Sequence, residues 1–80
     1  MRIELKLLAH LRGYLPDSEK NKEWLLLNVE ETVSIREVIA SLGIPSYIPK
    51  IAFINDTKSN MDDTPEEGDQ VTVCAMSQGG

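Results

Sequence analysis

Two segments at opposite ends of the chain alternate strictly between apolar and other residues, and this constrains the fold more than any other feature. Ile3, Leu5 and Leu7 are interleaved with Arg2, Glu4 and Lys6, and Val71, Val73 and Ala75 with Thr72, Cys74 and Met76. A period of two places alternate side chains on one face of a strand, so each segment reads as a half-buried strand. They are the most regular segments in the chain. A central pair of strands needs that regularity most, so the two are expected to lie side by side in the middle of one sheet.

The segments between them supply a helix and two further strands. Trp24 to Val29 is an apolar run that reads as a second strand, and the polar stretch at 16–23 before it favours an antiparallel pair with the first. Ala9 to Leu15, punctuated by Gly13 and Pro16, leads out of the first strand. Ser34-x-x-Glu37 fits a capping box, with Val33 and Val38 spaced as its hydrophobic staple. Ile35, Val38, Ile39 and Leu42 then share one helical face, and Gly43 followed by Pro45 marks the stop. Ile51 to Ile54 is a third strand, Asn55-Asp56 begins a polar turn, and residues 60–69 are acidic and irregular up to the final strand. The expected class is α+β: four to five strands in ββαββ order, with one main helix on one face of a mixed sheet.

The chain of 80 residues suits one domain with one small core. We expect a body over 1–76 and a flexible tail over 77–80. Eight basic and thirteen acidic residues give a net charge of −5, which argues against nucleic acid as a partner. Cys74 is the sole cysteine, which excludes an internal disulfide and a four-thiolate metal site. No apolar stretch reaches the length of a membrane span, and Arg2, Glu4 and Lys6 break up any N-terminal leader, so the expected location is the cytoplasm.

Three places give the chain a family resemblance. Leu8-Ala9-His10-Leu11-Arg12 is similar to the Phe-Ala-x-Leu-Arg segment of the molybdopterin synthase small subunit, Glu66 to Val71 to the Gly-Asp-x-Val signature, and Gly79-Gly80 to a terminal diglycine. Together they resemble the MoaD/ThiS family of ubiquitin-like sulfur carriers, closer to the MoaD branch. The resemblance implies a ubiquitin-like β-grasp fold. It departs from the family at Leu8, where Phe is common, and at Cys74 to Gln78, which replace a Pro-Pro-rich approach to the diglycine.

The resemblance makes Gly80 the reactive residue, acting through its carboxylate, and makes the chain a carrier and co-substrate rather than an enzyme. A carboxylate is a poor electrophile. Joined to AMP it becomes a mixed anhydride, which a persulfide or thiolate attacks to give a thiocarboxylate or thioester. ATP and Mg²⁺ belong to the activating enzyme, since this sequence has no phosphate-binding glycine motif and no bound cofactor is expected. Glycine without Cβ can thread a narrow channel, and Ser77, Gln78, Gly79 and Gly80 fully extended reach roughly 13–14 Å. Two glycines at the end would arise by chance about 0.5% of the time. The implied partners are a ubiquitin-activating-type adenylating enzyme, a sulfur donor and a large synthase subunit such as the molybdopterin synthase catalytic subunit.

The partner-binding candidates besides the tail are Leu8, Arg12, Cys74 and Met76. Cys74 alternates out of phase with Val71, Val73 and Ala75, so it is expected on the sheet face opposite the helix with Leu8 and Met76, where an apolar cluster could dock a partner. The resemblance would have Arg12 pair with an acidic residue of the activating enzyme; otherwise it is a solvated charge. His10 has no catalytic partner placed by the sequence. Asp62, Asp63, Glu66, Glu67 and Asp69 do not follow calcium-loop spacing and read as a solvated acidic turn. The leading function is sulfur delivery in cofactor biosynthesis, most specifically of molybdopterin or a related pterin. The alternatives are a ubiquitin-like modifier conjugated through Gly80 and a non-covalent β-grasp binding module.

Overall fold

The structure is a computed structural model, and it describes residues 1–76. Five strands, β1 (Arg2–Leu8), β2 (Leu25–Asn28), β3 (Lys50–Ile54), β4 (Thr57–Ser59) and β5 (Gln70–Ala75), form one sheet in the order β2-β1-β5-β3-β4. The two alternating segments are neighbours and parallel, with Leu5 beside Val71 and Leu7 beside Val73. The remaining pairs, β1 with β2, β3 with β4 and β3 with β5, are antiparallel. This is the mixed sheet the periodicity calls for, with the α-helix α1 (Ile35–Ser41) packed on one face.

Burial follows the alternation. Ile3, Leu5, Leu7, Val71 and Val73 are each no more than 1% exposed and meet Ile35, Val38 and Ile39 of the helix. Burial of such a side chain is worth about 1.5–3 kcal/mol, so this contact is the main force holding a helix of this length in place. Leu11 and Leu15 also enter the core. They come from a segment read as a connection, which instead forms a 3₁₀ turn over Ala9–Tyr14 that carries Leu11 back under the sheet.

The capping box forms as expected. Ser34 Oγ accepts from the Glu37 N–H at 3.2 Å, and Glu37 Oε1 accepts from the Ser34 N–H at 3.0 Å. The acidic segment supplies the rest: the N–H groups of Ile35 and Arg36 donate to the carbonyls of Asp63 and Met61 at 3.0 and 2.8 Å. All of the first four N–H groups, which an α-helix leaves without internal partners, are therefore satisfied. At the other end Gly43 takes φ +82°, the left-handed stop that glycine provides without strain.

One strand escaped the sequence reading. Thr57–Ser59 pairs with β3 through a two-residue turn in which Asn55 and Asp56 both have positive φ, 50° and 69°. A three-residue edge strand of Thr, Lys and Ser carries no apolar alternation, and the Asn-Asp turn lacks the glycine that usually signals such a hairpin.

Candidate functional site

The candidate site has two parts: the sheet face that α1 leaves open, and the end of β5 that leads toward residues 77–80. In the β1–β5 register Leu8 stands beside Cys74, and in the β3–β5 register Ile51 stands beside Cys74 on its other side. One step along, Lys6, Thr72 and Phe53 form the neighbouring row. The open face therefore carries an apolar row of Leu8, Cys74 and Ile51, with Phe53 behind it. Leu8 is 37% and Met76 51% exposed, and Met76 shares a depression with Ile51.

The expected grouping of Leu8 with Cys74 thus appears in the register, with Met76 following one residue after β5. Ile51 and Phe53 were not singled out from the sequence. Their alternation with the buried Ala52 was the available signal, but only the register puts them beside Cys74. Cys74 is half-buried, and its Sγ lies 3.3 Å from the Ala75 carbonyl oxygen. The approach to the end of β5 is fixed by the backbone, where the Met76 N–H donates to the Pro49 carbonyl at 2.9 Å. Ser77, Gln78, Gly79 and Gly80 lie outside the described residues.

Arg12 sits at the rim and is half-buried. Its Nη2 donates to the carbonyls of Lys20 and Lys22 at 2.7 and 3.0 Å, and its Nη1 reaches the Leu7 carbonyl at 3.4 Å. These bonds tie β1 to the polar loop before β2. Carbonyls do not neutralise a guanidinium, and no carboxylate among the described residues forms an ion pair with it. Lys6 is held differently, 4.7 Å above the Trp24 ring and 3.3 Å from Glu23 Oε1. His10 is exposed on the 3₁₀ turn.

The acidic candidates organise the backbone. Asp63 Oδ2 accepts from the Asn60 N–H, Asp69 Oδ2 from the Glu66 N–H, and Glu67 Oε1 from the Arg2 N–H. Asp62 pairs with Arg36 of α1, whose hydrogen bond and charge hold its carboxyl below the usual range. Glu66 remains exposed. Among the described residues no group of three or more His, Cys, Asp or Glu is placed to hold a metal ion. Lys50 donates to the carbonyls of Pro45 and Ile48, and burial together with nearby Arg36 lowers its pKa from the ordinary lysine value. No described helix is long and apolar enough to cross a membrane.

Comparison with known proteins places this arrangement. The family model described as Mut7-C ubiquitin matches residues 1–79. The chain belongs to the Mut7-C ubiquitin family. No curated protein matches it. Among solved structures, this Mut7-C ubiquitin chain is similar to SAMP1 from Haloferax volcanii, with a TM-score of 0.70 and 15% identity over 100% of both chains. It is also similar to a molybdopterin converting factor subunit 1 from Pyrococcus furiosus, with a TM-score of 0.68 and 13% identity over 96% of this chain and 99% of that one. A third match is to a complex of subunits 1 and 2 of the molybdopterin-converting factor from Helicobacter pylori, with a TM-score of 0.59 and 15% identity over 100% of both chains. At these identities the likeness is one of fold. The Mut7-C ubiquitin chain thus has the ubiquitin-like β-grasp fold expected of it, the fold it shares with SAMP1 and with molybdopterin converting factor subunit 1.

Proposed function

We propose that the chain is a carrier protein that works through Gly80. The body over 1–76 docks on partner enzymes, and 77–80 extend into their active sites. The observation that carries this reading is the union of a MoaD-like fold with Gly79-Gly80 a few residues beyond the central strand β5. The apolar row of Leu8, Cys74 and Ile51, next to the end of β5, is suited to hold a partner against the sheet while the chain beyond Met76 reaches inward.

In the chemistry proposed, a Gly80 carboxylate oxygen attacks the α-phosphorus of ATP on an activating enzyme, and pyrophosphate leaves. The terminal sulfur of a donor persulfide attacks the acyl carbon, and AMP leaves with the bonding electrons. A second thiol then reduces the resulting S–S bond, releasing the thiocarboxylate on Gly80. The finer assignment is delivery of that sulfur to molybdopterin or a related pterin through a large synthase subunit. The Helicobacter pylori match, a complex of subunits 1 and 2 of a molybdopterin-converting factor, supports a partner of that kind.

Intact-mass measurement on protein purified from its native cell tests the proposal. A fraction heavier by the oxygen-to-sulfur difference, localised to Gly80, is expected. Deleting Gly80 should abolish that fraction and the cofactor synthesis that depends on it. A fully functional truncated protein, or Gly80-dependent conjugates in place of the sulfur adduct, would overturn the sulfur-carrier reading.

A further inference from the structure

We infer that the outer edge of β2 and the groove between it and α1 form a second docking site, for an extended basic segment of another protein added as a sixth strand. The site lies at the sheet edge, apart from the Leu8–Cys74 face, and is independent of what Gly80 does.

The edge is chemically open. Met1 and Val29 exchange backbone hydrogen bonds in both directions, at 2.7 and 2.8 Å, which makes them a hydrogen-bonded antiparallel pair. Pairs of this kind alternate along a ladder, so Ile3–Leu27 and Leu5–Leu25 are bonded while Arg2–Asn28 and Glu4–Leu26 are not. The Glu4 N–H confirms this by turning the other way, donating to Asp69 at 3.0 Å. The N–H and C=O of Leu26 and Asn28 therefore point outward from the sheet, and neither has a partner among the described residues.

Edges of this kind are usually blunted by lysine, proline or a bulge. The opposite edge follows that rule, since β4 has three residues with Lys58 at their centre. Strand β2 reads Leu-Leu-Leu-Asn with none of these, and Leu26 is 60% exposed.

Where the edge ends, an open groove of about 420 Å³ lies between Asn28–Val29 and α1. Val29, Val33 and Val38 give it an apolar floor, and its two charged lining residues, Glu30 and Glu37, are both carboxylates. A strand added about 4.8 Å outside β2 would reach this groove at the Asn28 end of the edge. Its alternate side chains would enter between the valines, with cationic groups near the two carboxylates. Main-chain bonds would give affinity and the groove selectivity, as in strand-addition recognition generally. A second copy of this chain fits poorly, because it brings the same carboxylates and another net charge of −5.

The test is titration of the ¹⁵N-labelled chain with a blocked nonapeptide of alternating valine and lysine. Amide shifts concentrated at Leu26, Asn28, Val29 and Val38 are expected. At saturation, exchange of the Leu26 and Asn28 amide protons should slow by at least about fivefold, because each acquires an acceptor. Leu26→Pro should abolish binding while sparing the β1 ladder, which does not use that N–H. Glu30→Lys, an exposed change that leaves the strand untouched, should weaken binding about tenfold at low salt. Several results would overturn the proposal: no binding at millimolar peptide, shifts centred on Leu8 and Cys74, equal binding of a valine–glutamate peptide, or undiminished binding by both variants. Self-association of the chain through the same amides would replace the basic partner with a second copy.

Discussion

Arg36 Nε donates to Asp62 Oδ1 at 2.8 Å, joining the first turn of α1 to the acidic segment that wraps around it. The bond and the charge of Arg36 lower the Asp62 pKa below its ordinary 3.8, while Arg36 stays cationic throughout. A carboxyl with a depressed folded-state pKa contributes stability that is complete above its unfolded value. That contribution fades as the pH falls through the folded value. The wild-type chain should therefore melt above Asp62→Asn at pH 5 and converge with it well below pH 3.8. Both side chains are open to solvent, so the gap should be small and should shrink at high salt. Thermal melts of both proteins across the acid range check this, and a gap that persists in strong acid would contradict it.

Ser34→Ala should destabilise the domain by about 1 kcal/mol, a fall in Tm of roughly 4–8 °C for a domain of this size. It removes the acceptor for the Glu37 N–H and leaves Glu37 with only the Ser34 N–H. Ser34→Gly should cost only a few tenths of a kcal/mol. Because the carbonyls of Met61 and Asp63 still satisfy Arg36 and Ile35, the helix should survive in both variants. Urea unfolding with far-UV circular dichroism separates loss of stability from loss of helix.

The features legible in the sequence were those that short-range chemistry sets. The Ser34–Glu37 box needs residues three apart, and Ile3-Leu5-Leu7 against Val71-Val73 needs only a period of two. What the sequence hid depends on contacts between distant segments. Nothing near Asp63 announces that its carbonyl completes a helix 28 residues earlier, and nothing near Arg12 announces three carbonyl partners. The same holds for the site: Leu8 and Cys74 could be placed on one face by alternation, whereas Ile51 joined them only through the β3–β5 register.

Ala9 has φ +56°, in the left-handed region, where the reversal from β1 into the 3₁₀ turn occurs. That conformation costs an L-residue about 1 kcal/mol, an expense glycine does not incur. Ala9→Gly should therefore be neutral within about 0.5 kcal/mol, since relief of strain offsets the greater freedom of the unfolded chain. Ala9→Val should cost more than about 1 kcal/mol, because a β-branched side chain is worse still at positive φ. Ala9 is exposed, so neither change disturbs the core. Denaturant midpoints for the three proteins decide the matter, and equal loss in both variants would mean that Ala9 is not strained.

Arg12 allows its fold role and its partner role to be separated. A planar guanidinium can serve Leu7, Lys20 and Lys22 at once, whereas a lysine ammonium on a flexible stem cannot reproduce that fork. Arg12→Lys and Arg12→Met should each lose about 1–2 kcal/mol, since charge-assisted bonds to two separate segments disappear in both. If an activating enzyme also reads the positive charge, Arg12→Lys should retain most of the adenylation kcat/KM that Arg12→Met loses. Stability comes from urea titration, and adenylation from pyrophosphate exchange under conditions where both variants are folded. Equal adenylation by wild type and Arg12→Met would confine Arg12 to holding β1 against the loop before β2. A loss in Arg12→Met that Arg12→Lys restores would place its charge at the enzyme interface as well.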